Sequence, residues 1–315
     1  MQKRSIRQRI QRKEKWCHKM EKKLAVIVDN NKEVTTEVAN TEMCSSACDV
    51  AMQMCSSQNY DAYRSSGKIR KKIGEIQMQR ILLMVLQNFW RVPAAWFKLC
   101  HYAKNTEKYP EMTKWQHIQY ILKLAVTSGN IDFECYGLEN IPKENGFLMY
   151  GNHQGLFDIV AIGATCPNPL AAVLKKELGE IPFVKQVKEC TNSFCMDRED
   201  VRQSMTVINN VIKEVKAGRN YLIFPEGTRS KKGNKMLEFH SGSFKCATKT
   251  KCPVIPVAFI NSFKVLDEKG CKPVNVQIHY LKPIYPEEYE GMKTNELADL
   301  VRERIDEVLK AYNGK

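Results

Sequence analysis

Long apolar runs are absent from the sequence. The longest in the segment most suited to membrane contact spans residues 81–86, far short of the ~20 residues that a membrane-spanning helix needs. The basic N-terminus is followed by no apolar segment and no small-residue cleavage site, so it does not resemble a secretory signal. We therefore expect any contact with a membrane to be peripheral.

Cysteine is also sparse, because 12 cysteines in 315 residues are too few for a disulfide scaffold. Cys44, Cys48 and Cys55 do cluster, but they lack paired C-x-x-C spacing and no histidine lies among them. Ordinary reduced thiols in a cytoplasmic protein are expected, rather than a metal site. No cofactor is expected either.

Positive charge is what the composition has in excess, with 49 Lys+Arg against 35 Asp+Glu and a net charge of +14. The hydrophobic share of 43% and the charged share of 27% are typical of a globular protein. The basic excess indicates a polyanionic partner: nucleic acid, an anionic membrane surface or a phosphorylated substrate. Nucleic acid is disfavoured, since no zinc finger or other recognisable nucleic-acid module accompanies the charge.

Three segments divide the chain. Residues 1–68 are basic up to Lys23 and then polar without a sustained period, which predicts a disordered extension. Residues 69–128 carry apolar side chains at three- and four-residue spacings, which predicts an amphipathic helical pair with Pro93 as a break and a second helix from Glu111. Such a pair either packs on the domain or lies in a membrane interface, and different faces can do both.

Strand-like and helix-like segments alternate through the third segment, residues 129–315. Strands are predicted at residues 131–136, 146–150, 170–174, 221–224, 254–260 and 274–280. Helices are predicted at residues 158–164, 205–216, 243–250 and 294–311. This alternation predicts an α/β domain with a mixed, largely parallel sheet flanked by helices.

His153 and Asp158 directly follow one of these strands. On a single helix they would lie ~140° apart, so a strand-to-helix turn, with Gly155 supplying freedom, is needed to bring them together. A carboxylate on one imidazole nitrogen fixes the tautomer and leaves the other nitrogen as a base. Taken alone, this spacing is also typical of a structural histidine.

The sequence Phe-Pro-Glu-Gly-Thr-Arg-Ser follows another strand, at residues 224–230. Backbone N–H groups and the Arg229 guanidinium in such a loop suit a phosphate, although a plain turn with solvated charges is the alternative. Arg198 supplies a further cation after an apolar stretch. Pro253 and Pro256 flank a strand and favour an edge position or the wall of a site over a central one.

Together and in this order, these four segments resemble the glycerolipid acyltransferase family, in particular its bacterial 1-acyl-glycerol-3-phosphate acyltransferases. The family's NHx4D block matches residues 152–158, and its FPEGTRS block matches residues 224–230 residue for residue. The resemblance covers roughly residues 69–312. It implies transfer of an acyl group from acyl-CoA or acyl-carrier protein to lysophosphatidic acid, at the cytoplasmic face of the cell membrane.

The resemblance also implies roles for individual residues. His153 is the general base, oriented by Asp158, and it acts without a covalent acyl-enzyme. The residues expected to hold the acceptor phosphate are Lys175 (or Lys176), Arg198, Glu226, Gly227, Thr228 and Arg229. Pro256 is expected in the wall of the site.

Three alternatives remain open at this point. The acceptor could be glycerol-3-phosphate or another lysophospholipid, because phosphate-binding residues do not report what else the acceptor carries. A histidine base could also activate water, which would make the protein a thioesterase; no GxSxG elbow is present for a serine esterase. A basic nucleic-acid-binding protein is the remotest alternative.

Overall fold

The computed structural model describes residues 78–197 and 200–313. Within them lie seven strands: β1 (Ile131–Tyr136), β2 (Leu148–Gly151), β3 (Ala171–Lys175), β4 (Phe194–Met196), β5 (Tyr221–Ile223), β6 (Val254–Ile260) and β7 (Val274–Tyr280). The α-helices there are α1 (Met78–Gln87), α2 (Val92–Lys104), α3 (Glu111–Val126), α4 (Phe157–Thr165), α5 (Pro182–Thr191), α6 (Val201–Lys216), α7 (Lys245–Thr250), α8 (Phe263–Leu266) and α9 (Thr294–Asn313). The basic extension, the Cys44–Cys48–Cys55 cluster and Arg198 lie outside the described residues.

Local sequence explains where several helices begin. Pro93 occupies the first turn of α2, where the missing N–H of proline costs no helical hydrogen bond. The break predicted at Pro93 therefore separates α1 from α2, and the predicted pair becomes three helices together with α3. Helix α6 begins after Asp200, whose carboxylate accepts a hydrogen bond of 3.0 Å from the backbone N–H of Gln203.

The strands form one sheet in the order β1-β7-β6-β2-β5-β3-β4. Adjacent strands are parallel except for the antiparallel pair β6–β7. The predicted mixed, largely parallel sheet is thus confirmed. Because β2, β3, β5 and β6 run in the same direction, the segments that follow them emerge at one edge of the sheet, where ligands bind in open α/β folds.

Helices cover both faces of the sheet and bury an apolar core on each. On one face, Leu99 of α2, Trp115 of α3 and Phe157 of α4 pack with strand residues. On the other, Val211 of α6 and Val301 of α9 pack with the opposite side chains of the same strands. The inner faces of α2 and α3 therefore pack on the domain, as one of the two interpretations of residues 69–128 predicted.

Pro256 corrects one sequence-based expectation. Its strand, β6, is not an edge strand but lies between β7 and β2. The carbonyl of Pro256 accepts a hydrogen bond of 2.9 Å from the Leu281 N–H, beside the first β6–β7 pair, Val257 with Tyr280. Proline lacks the N–H that would return a second bond, but here the loss falls at the end of the antiparallel ladder.

Helix α5 and strand β4 were not predicted. Strand β4 has only three residues, too few for a periodic signal, and α5 follows a short 3₁₀ segment, Lys176–Glu180. Within the described part of the chain, no helix combines the length and apolar character needed to span a bilayer.

Candidate active site

His153 and Asp158 meet across the turn between β2 and α4. The Nδ1 atom of His153 lies 2.7 Å from Oδ2 of Asp158, which occupies the first turn of α4. His153 precedes the helix, so the predicted strand-to-helix turn brings the two together. Gly155 has an ordinary negative φ and serves a different purpose from the one expected: a Cβ there would lie 2.9 Å from the Cα of Phe263 and 2.5 Å from Oδ2 of Asp267.

The Asp158 carboxylate is fully buried and accepts hydrogen bonds on both oxygens. Oδ2 accepts from His153 Nδ1 and from the backbone N–H groups of Gln154 and Gly155, at 2.8 and 3.0 Å. Oδ1 accepts from the hydroxyl of Ser262, which follows β6. A buried charge needs such partners, and here they also fix the orientation of the carboxylate towards His153.

The loop after β5 holds the backbone of His153 from both sides. The His153 N–H donates to Oε1 of Glu226 over 2.9 Å, and the Ser230 N–H donates to the His153 carbonyl over 2.8 Å. The imidazole also stacks on the Phe224 ring, with centroids 4.1 Å apart. Two segments more than 70 residues apart in sequence therefore form a single site.

Residues 224–227 form a β-turn at the end of β5. The Gly227 N–H donates to the Phe224 carbonyl over 3.1 Å, which places Pro225 second and Gly227 fourth in the turn, both favoured positions. Gly227 has a φ of +67°, and a Cβ there would lie 3.2 Å from the His240 ring. Thr228 follows and is exposed.

Glu226 is buried, and both of its carboxylate oxygens are engaged by the protein. Oε1 accepts from the His153 N–H and Oε2 from the Leu237 N–H, at 2.9 and 3.1 Å. Burial raises the pKa of this carboxyl to about 7, against the opposing effect of the two N–H donors. The side chain of Glu226 thus holds the two loops together, which differs from the phosphate contact that the resemblance implied.

The other residues assigned to a phosphate differ in their surroundings. Arg229 is mostly buried and its Nη1 lies 2.6 Å from Oδ1 of Asp267. Lys175, at the end of β3, forms an ion pair of 2.9 Å with Glu177. Burial raises the pKa of Asp267, although the Arg229 guanidinium opposes that rise.

Pro256 lies on the opposite side of the sheet from the His153 ring. Val254 and Ala258, its alternate neighbours in β6, belong to the core under α6 and α9, so its side chain points there too. Phe224, on which His153 stacks, packs against the other core. The Pro256 side chain therefore packs towards the core under α6 and α9 and does not form part of the wall of the site.

Asn152, Gln154 and Ser262 also contribute hydrogen bonds to the candidate site, although the sequence motifs assigned them no role. The Asn152 side chain accepts from the Phe259 N–H and donates to the Phe259 carbonyl, at 2.8 and 3.0 Å, which extends the pairing of β2 with β6. The Gln154 amide oxygen accepts from the backbone N–H of Ser262 over 3.2 Å. The position of Asn152 directly after a strand was the available signal, whereas the Ser262 contact spans 104 residues and leaves no local pattern.

The arrangement equips His153 to act as a base. A carboxylate accepts but does not donate, so Nδ1 carries the proton and Nε2 carries the lone pair. The side chain retains 15% exposure. Among the described residues, no group of three or more His, Cys, Asp or Glu side chains has the geometry of a metal site.

Comparisons with known proteins identify the family of the chain. A family model described as "Acyltransferase" matches residues 132–260. A 1-acyl-sn-glycerol-3-phosphate acyltransferase from Borreliella burgdorferi is 30% identical over 189 residues, which cover 58% of this chain and 74% of the relative. The chain belongs to the acyltransferase family.

Two further relatives match over shorter shares of their length, and a solved structure matches over almost all of its own. The 1-acyl-sn-glycerol-3-phosphate acyltransferases of Saccharomyces cerevisiae and Helicobacter pylori are 30% and 37% identical over 61% and 39% of this chain. The chain spans 63% and 52% of those two relatives. The crystal structure of the LPA acyltransferase PlsC from Thermotoga maritima has a TM-score of 0.61 and 25% identity, covering 76% of this chain and 98% of that one. The resemblance noted from the sequence motifs is thus confirmed at the level of the family and the fold.

Proposed function

We propose that this acyltransferase moves a fatty acyl group from an acyl thioester to the free sn-2 hydroxyl of 1-acyl-glycerol-3-phosphate, giving phosphatidic acid. The observation that carries the proposal is the His153–Asp158 pair, clamped by the loop at residues 224–230. The similarity to the 1-acyl-sn-glycerol-3-phosphate acyltransferases of Borreliella burgdorferi and Saccharomyces cerevisiae supports the same acceptor. The donor class is acyl-CoA or acyl-carrier protein.

In this mechanism His153 activates the acceptor hydroxyl directly. Nε2 takes the hydroxyl proton while the oxygen attacks the thioester carbonyl carbon. The carbon–sulfur bond then breaks, and the leaving thiolate takes the proton from the imidazolium. A thioester is already activated, so a single imidazole base is enough, and no acyl-enzyme is needed. Asp158 stabilises the imidazolium and keeps the proton on Nδ1.

The acceptor phosphate is proposed to lie beside Arg229. The guanidinium offers several N–H donors to phosphate oxygens, and the backbone at Gly227 and the hydroxyl of Thr228 are close in sequence. Lys175 ends β3, which lies directly beside β5, at the same edge of the sheet. Arg198, outside the described residues, remains the predicted second cation.

The protein is further proposed to act at the cytoplasmic face of an anionic membrane, because its acceptor and product are both lipids. Large apolar side chains are exposed at the α1–α2 turn and on the following helix α2: Phe89 at 46%, Trp90 at 61% and Phe97 at 66%. Arg91 lies over the Trp90 ring, 5.6 Å from its centroid. Aromatic rings with adjacent cations suit the headgroup boundary of a bilayer.

A matrix of acceptors and donors tests the proposed reaction. The purified full chain would be assayed with lysophosphatidic acid, glycerol-3-phosphate and lysophosphatidylcholine against acyl-CoA and acyl-carrier protein. Thiol release that requires lysophosphatidic acid, with phosphatidic acid as product, is expected. Equally fast thiol release without any acceptor would identify a thioesterase and contradict the transferase. Preference for another acceptor would keep the transferase and replace its substrate.

A further inference from the structure

The Arg229 guanidinium is held by a carboxylate from a different part of the fold. Asp267 follows α8, and its backbone N–H closes that helix with a 2.9 Å bond to the Phe263 carbonyl. Its Oδ1 lies 2.6 Å from Arg229 Nη1, and the two side chains are only 23% and 18% exposed. A short charge-assisted pair with little solvent around it is stronger than a surface ion pair.

Asp267 also lies close to the catalytic pair. The position that a Cβ would take on Gly155 is 2.5 Å from Asp267 Oδ2, and the Gly155 N–H donates to Asp158. The pKa of Asp267 is raised first by burial and also by the negative charge of Asp158, while Arg229 lowers it. The negative side chains of Asp267 and Asp158 therefore already occupy the neighbourhood that a phosphate would enter.

We propose that the Asp267 carboxylate competes with the phosphate of the acceptor and of the product for Arg229. The inference rests on the proposed function, in which Arg229 binds that phosphate. A phosphate that approaches Nη1 displaces the Asp267 carboxylate or shares the guanidinium with it. Displacement breaks a partly buried ion pair, and sharing places like charges side by side, so either outcome weakens phosphate binding.

The competition has a consequence for turnover. Phosphatidic acid keeps the phosphate of lysophosphatidic acid, so Asp267 weakens the binding of product as well as acceptor. Tight product binding would slow release without helping the chemical step. A carboxylate fixed beside Arg229 keeps the cation oriented between turnovers and favours departure of the product.

The test is Asp267→Asn in the full chain, assayed with lysophosphatidic acid and the donor that supports wild-type turnover. The KM for lysophosphatidic acid and the inhibition constant of phosphatidic acid are both expected to fall, by about 3- to 30-fold. Asp267→Ala is a second variant with the same expectation. Glu290→Gln removes the same charge from an exposed pair with Lys251 and is expected to change neither constant.

Arg229→Ala separates this inference from the proposed function. It is expected to raise the KM for lysophosphatidic acid, and adding Asp267→Asn to it is expected to lower that KM no further. If Arg229→Ala leaves the KM unchanged, the proposed phosphate contact is wrong. If Arg229→Ala raises the KM but folded Asp267→Asn and Asp267→Ala leave it unchanged or raise it, the competition is wrong and the phosphate contact stands.

Discussion

The Asp158 carboxylate can stay fully buried because donors from three directions satisfy it: the imidazole, the backbone of the α4 turn and the hydroxyl of Ser262. Removing one donor leaves charge without compensation, which costs more than the net value of the hydrogen bond. The orientation of His153, the proposed base, therefore depends on the donors that surround Asp158.

Ser262→Ala tests this dependence. The free energy of unfolding is expected to fall by about 1–3 kcal/mol. The acid limb of the pH–rate profile is expected to move to higher pH, because the charged carboxylate has lost a donor that stabilises it. Ser262→Thr keeps the hydroxyl and serves as the control. An unchanged pH profile with a uniform loss of rate would mean that Ser262 only supports the fold.

Glu226 makes a prediction about stability and pH. Its pKa is about 7 in the folded protein, against 4.5 for an ordinary glutamate, so the folded state holds the proton more tightly than the unfolded chain. The proton on Glu226 therefore contributes about 3 kcal/mol to the free energy of unfolding. This contribution is fully present below pH 4.5 and is lost as the pH rises through 7. The side chain at position 226 of the Glu226→Gln variant does not titrate in this pH range. Urea unfolding from pH 4.5 to 8 is expected to show the wild type losing its advantage over the variant as the pH rises. A constant difference would contradict the assignment.

Among the contacts between elements, Gly155 allows the turn before α4 to lie close against α8, because it has no side chain. Gly155→Ala is expected to reduce the free energy of unfolding by about 1–3 kcal/mol, because the new methyl group would meet backbone at Phe263 as well as the Asp267 side chain. Gly242→Ala is the matched control, since nothing lies within 4 Å of the added carbon. Equal urea midpoints for the two variants would show that the α8 backbone shifts to accommodate the methyl group without loss of stability.

Sequence patterns could predict the elements that carry a repeated signal. The alternation along β1 and β7, the long amphipathic face of α9 and the break at Pro93 all lie within a few residues of their predicted positions. Strand β4 is too short for a period. The interior place of β6 could not be read from its prolines, because a strand's neighbours are decided by other parts of the chain.

The candidate site could be predicted where its residues lie close together in sequence, and not where its contacts join distant segments. His153, Asp158 and the loop at residues 224–230 lie within short contiguous motifs, and parallel strands bring such motifs to one edge of the sheet. Ser262 and Asp267 come from the segment after β6, and their contacts to Asp158 and Arg229 span 104 and 38 residues. Nor did the motif indicate that Glu226 turns inward towards two backbone N–H groups.

At the scale of the whole molecule, membrane binding is predicted to depend on the aromatic side chains near the α1–α2 turn. Replacing Trp90 and Phe97 together by serine is expected to weaken binding to vesicles of phosphatidylcholine and phosphatidylglycerol about 10-fold or more. Met205→Ser is the control, because Met205 is 56% exposed on α6. Vesicle flotation measures all three proteins. Undiminished flotation of the double variant would contradict the proposed surface.

The role of His153 is tested most directly by the rate of acceptor-dependent thiol release by His153→Ala, with lysophosphatidic acid and the preferred donor. The base assignment predicts a loss of roughly 10²–10⁴-fold or more in kcat, with the circular dichroism spectrum and unfolding transition of a folded protein. Turnover near the wild-type rate by the folded variant would contradict the central role of His153.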